Sequence, residues 1–547
     1  MKQDQAANFT QSDSDHEFEL AERVRVNQQR LTAALRPRYD FIVCGAGTSG
    51  SVIARRLAEN PDAHVLLLEA GGSDDVPSVR TADLWPTNIG SERDWAFQSE
   101  PNAALGGRVL PLPMGKVLGG GSSINAMIWA RGHRSDWDYF AAESGDAAWK
   151  YDNVLSIYRR IEDWHGAPDP DYRGSGGPVF VQPAPDPYPL AAATVEAARS
   201  VGIPTFENPN GRMMEAQAGA SIIDLRVRDD RTRESVFRSY TYPYMDRPNL
   251  TVLTHAVVRR LVFDANRVTG VEVLYRGQIH TLSAACEVVL SLGAVHTPKV
   301  LMHSGVGDEK QLRRIGIPVR QHLPGVGRNY HDHTGYTCVW EFKQPPAPNA
   351  RAESTVYWKS RPELQSPDLF LCLGSFPLAS AENAQRFGLP DASWIFFGAL
   401  SHQKSRGRIL LTGPDPDDPV RIETNALSHP DDLATAKLCV EFMREIGSAA
   451  ALQPHIKREV MPGNLTGGEL DTYIRDAAST FWHHVGTAKM GNDTMSVVDS
   501  SIKVYGLDGL RIADASIMPR ITTANTMAPC VVIGERAAEL LTGEHWR

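Results

Sequence analysis

Residues 39–72 read YDFIVCGAGTSGSVIARRLAENPDAHVLLLEAGG. The apolar run at 41–44 has the length and character of a strand buried on both faces. Gly45, Gly47 and Gly50 follow at once in the spacing G-x-G-x-x-G, and Val52, Ile53 and Leu57 then recur at helical spacing over 51–60. A second apolar run, 64–68, ends on Glu69. Strand, glycine turn, helix and strand therefore stand in the order that gives such a glycine pattern its meaning, with an acidic residue about 20 positions on. The first glycine permits the tight turn, the second lets backbone approach a pyrophosphate, and the third lets helix and strand pack closely. The helix N-terminus, at Thr48 and Ser49, offers free N–H groups to phosphates. Glu69, followed by Ala70, can accept hydrogen bonds from ribose hydroxyls. The unit predicts a dinucleotide site and does not by itself separate FAD from NAD.

The chain has 547 residues, more than one ordinary core accommodates, so two domains are expected. With 42% hydrophobic and 22% charged residues it reads as a soluble globular protein. A net charge of −9 argues against nucleic acid as a partner. The six cysteines (Cys44, Cys286, Cys338, Cys372, Cys439, Cys530) are scattered without a C-x-x-C, and read as small buried apolar residues, not as a disulfide framework or metal site. The first residues show no apolar signal region, and there is no run of 18 apolar residues to span a membrane, so the cytoplasm is the expected compartment. Over 15–35, Phe18, Leu20, Ala21, Val24 and Leu31 form a rough helical stripe. It predicts an N-terminal helical extension over 1–36, packed on the enzyme body or on a second copy of the chain in a homodimer.

Residues 73–113 show turn residues and isolated aromatics (Trp85, Trp95, Phe97) and predict a long loop or lid. At 114–127, MGKVLGGGSSINAM combines consecutive glycines with two serines, a backbone able to wrap a ligand closely, flanked by Lys116 and Asn125 as hydrogen-bond donors. The Pro-, Gly- and Asp-rich 160–215 reads as an excursion, and short strands at 250–253, 257–263, 270–273 and 286–291 read as a meander returning to the main sheet. Residues 340–480 carry Pro-rich connections, the aromatics Trp340, Tyr357, Trp358, Phe370, Trp394, Phe396 and Phe397, and a helical stretch at 430–446. They predict a second domain.

Six motifs follow in order: the nucleotide unit, 115–125, GAVHTPKVLMHSGVG at 293–307, LPGVGRN at 323–329 with Asp332–His333, WHHVGTAKMG at 482–491, and 514–519 with 523–526. From about residue 39 onward they give the chain a resemblance to the glucose–methanol–choline (GMC) family of FAD-dependent oxidoreductases. The resemblance implies an α/β fold, α+β overall. A Rossmann-like FAD-binding domain would be built discontinuously from 37–160, 210–335 and 484–547. The substrate-binding domain, an antiparallel sheet flanked by helices, would take 161–209 and 336–483. It further implies FAD bound by Gly45, Gly47, Thr48, Ser49, Gly50, Glu69, Ala70, Lys116, Gly119, Gly120, Ser122, Asn125, Ala126, Met127, Val258, Trp482, His483, Asp514, Ala515, Asn525 and Thr526. In some relatives a histidine directly before the matching asparagine bonds covalently to flavin. Ile124 stands there, so non-covalent FAD is expected.

Alcohol oxidation removes a hydroxyl proton and a carbon-bound hydride, the latter going to flavin N5. The family's base matches His483 and its partner matches Asn525, whose amide can bind and orient the substrate oxygen but cannot act as the base. His484 competes by adjacency. Successive residues of an extended chain point apart, so one of the two is expected to face the flavin, and the motif favours His483. His331, Asp332 and His333 could bind a metal on paper, but the family motif gives them a structural reading, and no metal is expected. The expected activity is oxidation of an alcohol, a primary aryl or apolar one on the strength of the aromatics at 340–480, with dioxygen or another electron acceptor. The alternative is a lyase on the same flavin fold, of the hydroxynitrile lyase or fatty-acid photodecarboxylase type.

Overall fold

The strand Arg38–Cys44 lies at the centre of a parallel sheet. A computed structural model describes residues 11–346 and 351–546. Val65–Leu68 and then Leu250–Leu253 pair on one side of the central strand; Gln278–Leu290 and then Leu510–Ile512 pair on the other, all parallel. Val65–Leu68 is buried at every position, because helices and loops cover both faces, which is why its sequence is a continuous apolar run. Gln278–Leu290 is long, and its first half folds back through Arg267–Tyr275 and Ala256–Asp264 as an antiparallel meander. Cys44, Leu68 and Leu290 align across the ladder, as do Leu290 and Ile512. The turns after these strands therefore gather at one edge, the carboxyl end where open α/β sheets bind ligands.

The second sheet is antiparallel, in the order Ile456–Met461, Thr334–Phe342, Ser393–Leu400, Leu369–Gly374, Ala352–Trp358 and Gly219–Ile222. Gly219–Ile222 falls inside the 210–335 segment expected of the nucleotide domain, yet it extends the second sheet through its pairing with Ala352–Trp358. The helix Pro430–Gly447, close to its expected bounds, packs on this sheet. Gly398 makes room for it, since a Cβ there would meet Met443 Sδ at 2.5 Å. Period-2 alternation sorts the aromatics. Trp340 stacks on its cross-strand partner Trp394 with centroids 4.6 Å apart, and Phe396 joins them on the same side.

The N-terminal helix Gln11–Ala33 departs from the expected apolar stripe. Val24 is buried, but Phe18 is 74% exposed. Polar side chains fasten the helix instead. Gln28 Nε2 donates to Leu250 O and Gln28 Oε1 accepts from Val252 N, each at 2.9 Å. Asn27 donates to the carbonyls of Met245 and Arg247. Gln28 thereby satisfies backbone groups on the outermost strand of the parallel sheet, which would otherwise need water or another chain. Residues 73–113 are the expected long connection, shaped by the 3₁₀ turn Ala82–Asn88 and a short ladder between Phe97–Gln98 and Pro111–Leu112.

Candidate active site

A large cavity opens at the carboxyl edge of the parallel strands and runs to the second sheet. At its first end Gly45 takes φ +99°, and a Cβ there would lie 2.4 Å from Ser291 O. A Cβ on Gly50 would meet Gly45 O at 1.9 Å, so this glycine seats the helix Thr48–Ala58 against the turn. Gly47 is the opposite case. Its Cβ position meets no atom within 4 Å and lies on the cavity wall. No side chain caps the helix that starts at Thr48, so its N–H groups and dipole are free for an anion. Glu69 accepts from Ala46 N at 3.0 Å and Gly71 N at 2.9 Å, and burial pushes its carboxyl up to about 7. Asp514 ties two distant motifs together by accepting from Gly293 N at 2.8 Å and Thr297 Oγ1 at 2.6 Å. An empty Cβ position, an uncapped helix and an acidic side chain fit the diphosphate and ribose of a dinucleotide.

The other end holds the histidine segment. His333 Nε2 lies 2.8 Å from Thr522 O, and its Nδ1 lies 2.9 Å from His483 Nδ1. A carbonyl can only accept, so His333 carries its proton on Nε2 and presents a bare Nδ1. His483 must then donate from Nδ1, which leaves the lone pair on its Nε2. Asn525 Nδ2 faces that atom at 3.2 Å. Burial, with His333 and His484 adding to it, holds the His483 imidazole well below its ordinary pKa, so it is neutral at working pH. Phe481 stacks beside it with centroids 5.5 Å apart and itself stacks on Phe397 at 3.9 Å.

Trp482 sits at φ +64°, a left-handed conformation uncommon for a bulky residue. The chain is therefore not extended here; His483 and His484 both border the cavity, but the His484 side chain is fully buried and turned away from Asn525, so the two rings part. Their partners differ. His484 Nδ1 lies 2.7 Å from Tyr330 OH and 3.3 Å from Asp332 Oδ2. Asp332 also accepts from His483 N at 2.9 Å and from the Thr480 hydroxyl. His331 Nδ1 lies 2.6 Å from Asn329 O, and its Nε2 accepts from Ile521 N. Each member of the His331–Asp332–His333 run is thus spent on the protein itself.

Of the expected cofactor residues, Gly45, Gly47, Thr48, Ser49, Glu69, Ala70, Gly120, Ser122, Asn125, Ala126, Val258, Trp482, His483, Asp514, Ala515, Asn525 and Thr526 border this one cavity. Gly50, Lys116, Gly119 and Met127 do not. Gly50 packs against the Gly45 carbonyl, Gly119 donates its N–H to Ala46 O at 2.8 Å, and Lys116 places its ammonium over the Trp95 ring at 4.8 Å. Met127 spends its N–H on Asn125 Oδ1 and its carbonyl on Arg226 N. Of the seven aromatics named at 340–480 only Phe397 reaches the cavity, because alternation sends Trp394 and Phe396 to the other face. Trp85, Phe376, Leu378 and Ile395 were missed as wall residues. The period-2 pattern at 393–400 could have separated Ile395 and Phe397 from their neighbours. No local signal marks the others.

The GMC oxidoreductase family models match residues 39–335 and 403–534. An oxygen-dependent choline dehydrogenase from Klebsiella pneumoniae is 36% identical over 543 residues, spanning 92% of this chain and 96% of the relative. Among solved structures, pyridoxine 4-oxidase from Mesorbium loti has a TM-score of 0.86 at 31% identity, spanning 93% of this chain and 99% of that one. A formate oxidase from Aspergillus oryzae, studied for its FAD modification, has a TM-score of 0.84 at 25% identity, spanning 93% and 99%. With both the glycine loops and the histidine segment inside the matched regions, and relatives aligned almost end to end, the chain belongs to the GMC oxidoreductase family: it binds FAD and acts as an oxidoreductase on an alcohol-type substrate.

Proposed function

We propose that the substrate is a neutral, apolar primary alcohol, an aryl alcohol foremost, oxidised to its aldehyde with His483 as base. One observation carries the substrate class. Among the described residues, the far wall of the cavity is apolar (Trp85, Phe376, Leu378, Ile395, Phe397, Trp482), and its acidic residues, Glu69 and Asp514, lie at the nucleotide end with their oxygens already engaged. An ammonium substrate such as choline would find aromatic faces but no carboxylate there, and a sugar would strand its hydroxyls against apolar carbon. Trp85 meets Phe376 and Trp482 edge to face at 6.0 and 6.3 Å, a geometry that continues onto an added ring.

FAD, when bound, supplies the hydride acceptor. The rest falls to this chain's residues. His483 Nε2 takes the hydroxyl proton, its lone pair kept available by the Thr522–His333–His483 hydrogen-bond chain. Asn525 holds the alcohol oxygen beside that atom, which aligns the carbon without further loss of freedom. The helix Met527–His545 starts uncapped at this end and favours negative charge near its N-terminus. We read the cofactor half as 37–160, 210–335 and 484–547 and the substrate half as 161–209 and 336–483, with Gly219–Ile222 lent to the latter's sheet. The described cysteines are all unpaired, which fits the reducing cytoplasm, and no described helix is long and apolar enough to cross a membrane.

Anaerobic mixing with a panel of alcohols tests the reading. A benzylic alcohol should bleach the flavin faster than choline or a free sugar; faster bleaching by choline would refute the substrate class, and no bleaching by any alcohol would favour the lyase. Admission of air then reports whether dioxygen is the acceptor.

A further inference from the structure

Four arginine side chains rank among the largest that are fully buried: Arg131, Arg226, Arg233 and Arg511. Arg131 pairs with Glu162 at 2.6 Å and Arg511 with Glu287 at 2.8 Å, as buried charges ordinarily must. Arg226 and Arg233 form no ion pair among the described residues. Arg233 donates to Val79 O at 2.8 Å, and its Nη1 donates to Asn125 O at 2.7 Å and Asn125 Oδ1 at 2.9 Å. Arg226 donates to Ser239 Oγ at 2.7 Å and rests against Met527 Sδ at 3.9 Å. Arg226 Nε and Arg233 Nη2 are buried without any acceptor. The nearby Glu234 is taken by Arg228. Burial, and for Arg233 the neighbouring Arg226, draw the two guanidinium pKa values down to about 10 and about 9, which still leaves both charged at neutral pH.

Two cations without an ion pair in one buried place are costly, and among the described residues only Glu234, itself paired with Arg228, eases that cost for Arg226. Their contacts show where compensation belongs. Asn125 and Met527 both border the cavity, so the charges lie one residue behind its wall. We propose that Arg226 and Arg233 are a built-in counter-charge for the reduced cofactor, positioning residues that raise the reduction potential of bound FAD. When the alcohol is oxidised, one C–H and one O–H bond break and a C=O bond forms. The hydride carries two electrons to FAD and the hydroxyl proton goes to the base. The cofactor therefore gains negative charge, and two fixed positive charges behind Asn125 and Met527 favour that state over the oxidised one.

The proposal rests on FAD as the occupant, a premise the visible spectrum of the purified protein tests separately. The midpoint potential of the holoenzyme is measured anaerobically against reference dyes for the wild type, Arg226→Met, Arg226→Gln and Arg226→Lys. The two charge-removing variants should disfavour the reduced state at least about tenfold, ~30 mV for a two-electron couple, while the lysine variant stays within about threefold of wild type. Unchanged potential in a charge-removing variant that retains FAD overturns the proposal. If both charge-removing variants lose FAD and Arg226→Lys keeps it, the charge is spent on holding the oxidised cofactor and not on its potential, and the proposal is overturned. Loss of FAD from all three assigns the residue to packing and overturns it.

Discussion

His333 Nδ1 lies 2.9 Å from His483 Nδ1, and this contact decides which nitrogen of His483 is bare. The Thr522 carbonyl forces the His333 proton onto Nε2, and His333 in turn forces the His483 proton onto Nδ1. Replacing His333 by Phe keeps a ring against Phe370 but removes the acceptor. We expect flavin reduction to slow by a large part of the 10²- to 10⁴-fold that general-base catalysis is typically worth. His333→Gln, which can still accept from His483, should lose less. Anaerobic stopped-flow reduction compares them, and equal rates for both variants would remove His333 from the mechanism.

The same measurement tests the base. His483→Ala should slow reduction by about 10²- to 10⁴-fold with FAD retained. Asn525→Ala should slow it less and weaken substrate binding, because it removes orientation and not proton transfer. His484→Ala should cost thermal stability first, since buried Asp332 then loses a partner, and should slow reduction less than His483→Ala. A larger loss on the His484 side would exchange the two roles.

How legible this was depended on how local the determinant is. The nucleotide end could be read because a glycine turn between two strands is a short-range pattern, and Gly45, Gly47 and Glu69 do meet on one cavity wall. The pairing of His483 with Asn525 came from family resemblance alone. His333 was passed over because its role is a tautomer relay across 150 residues of sequence, which no spacing reveals. Extended backbone was the wrong ground for parting His483 from His484, since Trp482 turns left-handed; their different partners part them instead. The aromatic count at 340–480 mixed two faces of one sheet, and the Trp340–Trp394 stack belongs to the interior.

Ile124 borders the cavity where some relatives carry a flavin-linking histidine, and a branched alkyl group offers no nucleophile. Acid or heat should therefore release FAD into the supernatant. Yellow colour left on the precipitated protein would show a covalent link through another residue.

Burial holds His296 and His333 down to about 3, with His331 and His483 also well below their ordinary value. Each stays neutral when folded and takes a proton when unfolded below about pH 6.5. The unfolded state then binds more protons, so stability is full above about 6.5 and falls as pH drops toward the folded values. Glu69, raised to about 7, acts in the opposite sense, holding a proton in the folded state that the unfolded chain has released above about 4.3. Burial also raises Asp74, Asp224, Asp332, Glu353 and Asp514, but it lowers His133, His303, His402, His455 and His484 besides the four histidines above, so the histidines prevail and the thermal midpoint should fall steadily from pH 6.5 to 4.5. A midpoint that rises over this range would contradict the buried neutral histidines.

Gly47 and Gly50 offer the closing test, because the same added methyl should fail in two different ways. At Gly50 a Cβ would lie 1.9 Å from Gly45 O, a clash with backbone that cannot yield without separating the helix Thr48–Ala58 from the turn. Gly50→Ala should therefore damage the fold itself, with a lower thermal midpoint whether or not FAD is present. At Gly47 the Cβ position is empty, so Gly47→Ala should fold with nearly normal stability in the cofactor-free state. The methyl would then stand in the space a diphosphate needs to reach the uncapped helix N-terminus. Losing one good charge-assisted hydrogen bond there, at about 1.5–3 kcal/mol, corresponds to roughly a tenfold to hundredfold loss of FAD affinity. Titration of the cofactor-free protein with FAD, followed by flavin fluorescence, measures it. Wild-type affinity in Gly47→Ala would move the diphosphate away from this turn.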